Sequence, residues 1–286
     1  MNIGKVLITG GAGQLGSDIE EVLLKQQYQV YSFSKIELDV TNYEQVVETI
    51  IRIMPDVVIH SAAYTKVDLA EEMQEAAYLI NAIGTRNIAV ACEKIQAKMV
   101  YISTDYVFDG NKLGKYNEFD TPNPINVYGS SKFAGENMVK DFHSQYFIVR
   151  TSWLYGKNGN NFVNTMLNLA EKGVQIKVVN DQVGSPTNTL DVATKVSELI
   201  KTKLYGIYHI TNSGECTWFE FAGKIFELAQ KNVDLVPVSS VEFVQKANRP
   251  KNSVLDHMGL RLNNFTGMRD WREALEDYFS SINRKL

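Results

Sequence analysis

The chain has 286 residues, 44% of them hydrophobic and 22% charged, and its 29 basic and 33 acidic side chains leave a net charge of −4. That composition excludes disordered, collagen-like and low-complexity chains and allows a core of good size. It also lacks the basic excess of a nucleic-acid-backbone binder, and at about 150 residues per domain the length suggests roughly two units.

Lys5 to Thr9 reads as a buried strand, followed by a glycine-rich turn and a helix over Gln14–Gln27. Gln29–Phe33 is a second strand, Tyr43–Ile53 a helix stopped by Pro55, and Asp56–His60 a third strand. One long helical stretch is predicted over Ala70–Lys94, then a fourth strand over Met99–Ser103. A polar loop runs from Thr104 to Asn126, followed by a helix over Val127–Phe142 and a fifth strand over Tyr146–Arg150. Helices are predicted over Asn161–Lys172, Asp191–Lys201, Trp218–Gln230 and Met268–Ile282, and strands over Gln175–Val179 and Gly206–Ile210.

Strands alternating with helices mean βαβ units, hence an α/β fold with a parallel sheet and helices on both faces. The strand near Tyr208 is expected to rejoin that sheet. The division is therefore about 1–153 for the sheet domain, with 205–211 returning to it, and 154–286 for a smaller interleaved lobe. The loop after the fourth strand leaves the carboxyl end of a strand, where ligands sit in open α/β sheets.

Cys92 and Cys216 have no partner at C-x-x-C spacing, so no zinc site is expected and two free thiols fit a reducing cytosol. The opening Met1 to Gly10 lacks a signal peptide's apolar stretch, and no apolar run reaches the roughly 18 residues of a membrane span. A cytoplasmic location is expected. The basic end Asn283-Arg284-Lys285 reads as a solvated terminus.

Thr9-Gly10-Gly11-Ala12-Gly13-Gln14-Leu15-Gly16 places three glycines between a strand and a helix, the arrangement of a Rossmann-type dinucleotide loop. Gly10 allows the tight turn, Gly13 the approach of a pyrophosphate to backbone, and Gly16 close helix–strand packing. Gln14 and Leu15 open the helix whose N-terminus receives the anion. The second strand ends in Ser34-Lys35 rather than an acid, which favours the 2′-phosphate of NADPH and leaves NADH open. Asp39 and Val40 read as a turn beside the adenine, with Thr41 or Asn42 available to cap the next helix. Ala62, Ala63 and Tyr64 leave room for a cofactor across the third strand's end. His60 is left without a role.

Tyr128-Gly129-Ser130-Ser131-Lys132 sets a phenol and an ammonium four residues apart on one helix face. A cation beside a phenol lowers its pKa toward working pH, so Tyr128 is expected to move protons with Lys132 in support. Thr104, with Ser103 second, supplies a hydroxyl at the end of the fourth strand.

Gly10/Gly13/Gly16, Ser103-Thr104-Asp105-Tyr106-Val107-Phe108 and Tyr128/Lys132 together resemble the extended short-chain dehydrogenase/reductase superfamily. Within it the chain is most similar to the dTDP-4-dehydrorhamnose reductase family. The stretches Val149–Gly156, Asp181–Thr187 and Arg249–Asp256 carry that similarity. The resemblance implies the last step of dTDP-L-rhamnose synthesis, hydride transfer from NADPH to C4 of dTDP-4-dehydro-6-deoxy-L-mannose. It implies Tyr128 as general acid, Lys132 on the nicotinamide ribose, Thr104 on the reacting oxygen, and Asp105 and Trp153 on the sugar nucleotide. Arg249 suits a diphosphate. A nucleotide-sugar 4-epimerase and a non-catalytic NADP-binding regulatory subunit are the rival readings. Some members of the family dimerise through magnesium held by glutamates. Here only Asp18 or Glu20 stands at that place, so magnesium stays open without a clear site, no metal ligand is assigned, and monomer and homodimer both stay open. The expected partner is a dTDP-sugar, with neither nucleic acid nor membrane.

Overall fold

The apolar runs of the central strands become buried on both faces, as a parallel sheet covered by helices requires, while the edge strand over Gln29–Phe33 stays partly exposed. In the computed structural model, which describes residues 4–243 and 245–283, the first half runs β1 (Lys5–Thr9), α1 (Gln14–Lys25), β2 (Gln29–Phe33), α2 (Tyr43–Ile53), β3 (Val57–His60), α3 (Val67–Ala70), α4 (Gln74–Tyr78), α5 (Thr85–Ile95), β4 (Lys98–Thr104), α6 (Val127–Phe142) and β5 (Tyr146–Thr151). The second half runs β6 (Leu154–Tyr155), α7 (Phe162–Ala170), β7 (Ile176–Val179), β8 (Val183–Gly184), β9 (Thr187–Asn188), α8 (Thr189–Leu199), β10 (Gly206–His209), β11 (Cys216–Thr217), α9 (Trp218–Leu228), β12 (Leu235–Val238), α10 (Met258–Leu262) and α11 (Trp271–Asn283). Met1 to Ile3, Arg284 and Lys285 lie outside the described residues.

Six strands form one parallel sheet in the order β10-β5-β4-β3-β1-β2. The order reverses between β1 and β3, which opens a crevice at their carboxyl ends. Strand β10 pairs with β5 from Gly206 opposite Phe147 to His209 opposite Arg150, so late sequence completes the early sheet. Helix α8 does the same on one face, where Val192 and Val196 share a core with Ile19 and Leu23 of α1. The other face is covered by α2, α5 and α6 through Val46, Ile50, Ile88 and Val139. A third core, around Tyr155, Phe221, Trp271 and Leu275, holds β6, α7, β7, β11, α9 and α11. No helix among the described residues is long and apolar enough to cross a membrane.

The long helix predicted over Ala70–Lys94 is interrupted. α3 and α4 are separate short turns, and Leu79–Gly84 winds as a π-helix before α5. Within that turn lies Asn81, whose fully buried amide accepts the Tyr64 N–H and donates to the Tyr64 carbonyl and the Ser131 hydroxyl. A wide turn puts that amide where a regular helix would not, a use π-turns commonly serve. The final helix starts at Trp271 rather than Met268, and the short strands β6, β8, β9, β11 and β12 add to the expected set.

One ion pair lies wholly inside. Glu136 of α6 and Arg150 of β5 are almost unexposed, and the guanidinium meets the carboxylate through Nε to Oε1 at 2.8 Å and Nη2 to Oε2 at 2.7 Å. Ser103 Oγ donates to Glu136 Oε1 at 2.6 Å. His209 Nδ1 faces the Asp256 and Tyr116 carbonyls, so that nitrogen carries the proton and Nε2 faces Arg150 Nη1 at 3.4 Å. Removing one charge strands the other in a dry interior. Glu136→Gln is therefore expected to cost about 3–5 kcal/mol in urea unfolding, and Glu136→Gln with Arg150→Met markedly less. Equal losses would show that Arg150 does not depend on Glu136.

Candidate active site

The chain leaves β1 through a turn that only glycine fits. Gly10 has φ +70, and a Cβ there would sit 2.6 Å from the Ala62 backbone nitrogen. A Cβ on Gly16 would sit 2.4 Å from the Gly10 carbonyl oxygen. Gly13 is the N-cap of α1, and no side chain caps the helix. Its first amides are thus left for an anion, with the positive end of the helix dipole behind them.

These amides open onto a cleft of about 820 Å³ along the carboxyl ends of the strands. Gly10, Gly13, Gln14, Leu15 and Gly16 line one end, with Ser34, Lys35, Asp39 and Val40 beyond them. Ala62 and Ala63 form the floor, and Thr104, Asp105, Tyr128, Lys132 and Trp153 line the other end. Lys35 is exposed at the rim. Asp39 Oδ1 accepts from the Thr41 amide and hydroxyl, which fixes the turn, and Asn42 caps α2 by accepting the Gln45 amide.

Two predicted residues stand outside this lining. Tyr64 is held back by Asn81, and its neighbour Thr65 faces the cleft instead. Arg249 makes a two-pronged ion pair with Asp68, at 3.1 and 2.8 Å, and lines a second cavity of about 570 Å³. His60 is a satisfied core residue between Thr9 and Thr85, and burial depresses its pKa to about 3. Asp18 is buried against the Thr189 hydroxyl. No group of three or more His, Cys, Asp or Glu that could hold a metal occurs among the described residues.

At the reacting end Thr104, Asp105 and Lys132 are buried and Tyr128 is partly buried. Thr104 Oγ1 donates to Asp105 Oδ1 at 2.9 Å and accepts the Tyr106 amide, so its single proton is already committed. Asp105 Oδ2 has no hydrogen-bond partner among the described residues. Burial raises this carboxyl to about 6, against the Ser253 and Thr104 hydroxyls. Lys132 Nζ donates to the Ile102 carbonyl at 2.6 Å and lies 4.1 Å from the centre of the Tyr101 ring. Burial lowers its pKa to about 7, and Glu136 opposes that shift. The Tyr128 phenol departs from the expected lowering: burial pushes it up to about 12, with the Thr104 hydroxyl pulling the other way. Dehydration decides the direction, and the neighbouring Asp105 charge adds to it.

Sequence reasoning missed Trp218. It stacks on Trp153 with ring centres 3.4 Å apart and 7° between planes, and it lines both cavities. Thr217-Trp218-Phe219-Glu220 is a capping box that fixes where α9 begins, which was the available signal. Trp153 itself has φ +47, a strained conformation for a bulky residue. Gly184 leaves the space its indole fills. Thr151, Ser152, Gly159 and Asn160 also line the cleft without having been singled out.

A parallel sheet with a glycine turn at the end of its first strand, facing a tyrosine and a lysine one helical turn apart, defines a short-chain dehydrogenase/reductase. The chain belongs to the dTDP-4-dehydrorhamnose reductase family: the family model described as RmlD substrate binding domain matches residues 4–284. It is 41% identical over 274 residues to the spore coat polysaccharide biosynthesis protein SpsK of Bacillus subtilis (strain 168), covering 96% of each chain. It is 39% identical over 288 residues to the dTDP-4-dehydrorhamnose reductase of Aggregatibacter actinomycetemcomitans, covering 96% of this chain and 98% of that one. The crystal structure of dTDP-4-dehydrorhamnose reductase from Bacillus anthracis str. Ames in complex with NADP superposes with a TM-score of 0.96, at 53% identity, covering 97% and 99% of the two chains.

The crowding at the turn gives a test. Gly16→Ala is expected to weaken dinucleotide binding at least tenfold by calorimetry, because the loop must move to accept the Cβ. Gly267→Ala, with no atom within 4 Å of its added carbon, is the control and should bind normally.

Proposed function

We propose that this chain reduces the C4 carbonyl of dTDP-4-dehydro-6-deoxy-L-mannose to give dTDP-L-rhamnose, with NADPH as the preferred cofactor. The observation that carries the reading is one continuous cleft, with uncapped helix amides at one end and Thr104, Tyr128 and Lys132 at the other. The names of the matched relatives point to the same chemistry.

When bound, NADPH supplies the hydride that adds to the carbonyl carbon. Tyr128 gives its proton to the carbonyl oxygen, so the product is the C4 alcohol and the phenolate left behind is stabilised by the Lys132 ammonium. A phenol raised to about 12 is fully loaded at neutral pH, which suits a proton donor. Lys132 also takes the nicotinamide ribose hydroxyls. Thr104 reaches the reacting oxygen only by releasing Asp105, and a sugar hydroxyl donating to Asp105 makes that exchange favourable. Ser34 and Lys35 take the 2′-phosphate, and Asp39 and Val40 flank the adenosine end.

The sugar lies beside Trp153 and the nucleotide continues past Trp218. The second cavity, with Tyr106, Phe162, Met166 and Phe243 among its walls, has the flat apolar surface a base needs. Arg249 at that cavity meets the diphosphate while keeping one face to Asp68.

The reading is tested by NADPH oxidation with 4-keto-6-deoxy nucleotide sugars that differ in base and C5 configuration. Stoichiometric consumption of NADPH is expected. Tight retention of oxidised cofactor with no net consumption would indicate an epimerase instead. Tyr128→Phe should lower kcat by at least a hundredfold with cofactor affinity unchanged, and near-normal turnover would remove Tyr128 as the acid.

The pH dependence has a defined sign. Asp105 accepts a hydroxyl most strongly as the carboxylate, so kcat/KM is expected to fall as pH drops through about 6. Asp105→Asn should be slower throughout and flat over that range. A variant with the same acid limb as the wild type would assign the limb to another group.

A further inference from the structure

Glu136 is fully buried and takes no part in the reaction described above. It stands one helical turn after Lys132 on α6, so both side chains leave the same helix face. That face is joined to β4 by two successive rungs. Lys132 Nζ donates to the Ile102 carbonyl, and the next residue, Ser103, donates its hydroxyl to Glu136 Oε1, each at 2.6 Å. Thr104 is the residue that follows.

We propose that Glu136 is a positioning residue for proton transfer. Its carboxylate locks the helix carrying Tyr128 and Lys132 to the strand end carrying Thr104, and it supplies the counter-charge against which Lys132 stays an ammonium. The inference rests on the reductase reading for its functional meaning but not for its geometry.

The surroundings leave Glu136 as the group suited to this task. On α6, Lys132 has Tyr128 on one side, a neutral phenol, and Glu136 on the other. Tyr101 of β4 offers only its ring face and a phenol raised well above its ordinary value by burial. His60 of β3 is neutral at working pH. Asp105 carries a charge above about 6, but its Oδ1 is engaged by Thr104. Arg150 and Lys140 lie on the far side of Glu136, with Lys140 Nζ at 4.0 Å from Oε2. Arg150 holds the carboxylate aimed through two hydrogen bonds, and it sits over the Phe108 ring. His209 continues the chain to the carbonyls of Tyr116 and Asp256, two residues from adjoining positions around the Tyr116–Leu255 bridge. The anchoring of α6 therefore extends to the segment that places Ser253 beside Asp105.

A purely structural Glu136 and a positioning Glu136 differ in one readout. Loosened packing alone would lower turnover at every pH and, by rehydrating Lys132, leave its titration in place or move it to higher pH. Loss of the counter-charge moves that titration to lower pH. The experiment follows the Lys132 ammonium by NMR of 15N-lysine-labelled protein, with and without NADP+, in the wild type and in Glu136→Gln/Arg150→Met. A Lys132→Arg spectrum assigns the signal. The midpoint is expected to fall in the double variant, by less than loss of the carboxylate alone would give, because the Arg150 charge leaves with it. The alkaline limb of kcat/KM should fall with it.

Glu136→Asp, which keeps the charge but withdraws it by one methylene, is measured alongside and serves if the double variant does not fold. It is expected to move the midpoint the same way by a smaller step. A midpoint unchanged in whichever variant folds overturns the proposal. Turnover of keto sugar by the wild type is scored separately. Its absence would count against the reductase reading and not against the titration result.

Discussion

Everything in this molecule depends on where a parallel sheet ends. Parallel strands align their carboxyl ends on one edge, and the reversal of strand order between β1 and β3 opens that edge into a crevice. The glycine turn leaves β1 there, Ala62 and Ala63 follow β3 there, and Thr104 closes β4 there. The close approach of Gly10 to Ala62 sets how near the two halves of the crevice come. Helix α6 then brings Tyr128 and Lys132 across the same edge. The second half of the chain adds β10 to the sheet and α8 to its face, so the part that covers the cleft is also part of the scaffold beneath it.

Burial sets the chemistry of the site. Asp105, Tyr128 and Lys132 each lose hydration, and each shifts toward its neutral form. A carboxylate oxygen at Asp105 without a partner among the described residues and a positive φ at Trp153 are local costs to folding that persist at the place where a ligand would use them. The Trp153–Trp218 stack joins the reacting end of the cleft to the second cavity.

Much of this was legible in the sequence, because it rests on local rules. Strand runs, the glycine spacing and the four-residue interval from Tyr128 to Lys132 are periodicities that survive folding. The break at Leu79–Gly84 was not legible. Asn81 looks like an ordinary polar residue within an amphipathic run, and its pairing with Tyr64 and Ser131 is made only in three dimensions. Trp218 was placed at the start of a helix, but nothing local says that it meets Trp153, 65 residues earlier in the chain. Arg249 shows the converse. Its charge suited a diphosphate, yet its first partner is Asp68, which the sequence places 181 residues away.

The phenol is where local reasoning gave the wrong direction. A cation four residues away argues for a lowered pKa, but Lys132 turns one of its three N–H donors to the Ile102 carbonyl, and burial lowers its own pKa to about 7. Burial then decides, and Tyr128 holds its proton. Reduction of a ketone needs a loaded acid, whereas oxidation of an alcohol needs the phenolate. The dehydrated site therefore starts on the side of reduction. The charge on Lys132 matters most after the proton has left, when a phenolate lies beside it in a medium that screens little. An interior that favours the neutral tyrosine before transfer and offers an ammonium after it meets both demands, provided that something keeps Lys132 charged. Among the described residues Glu136, one turn away and itself held by Arg150, is in position to do so.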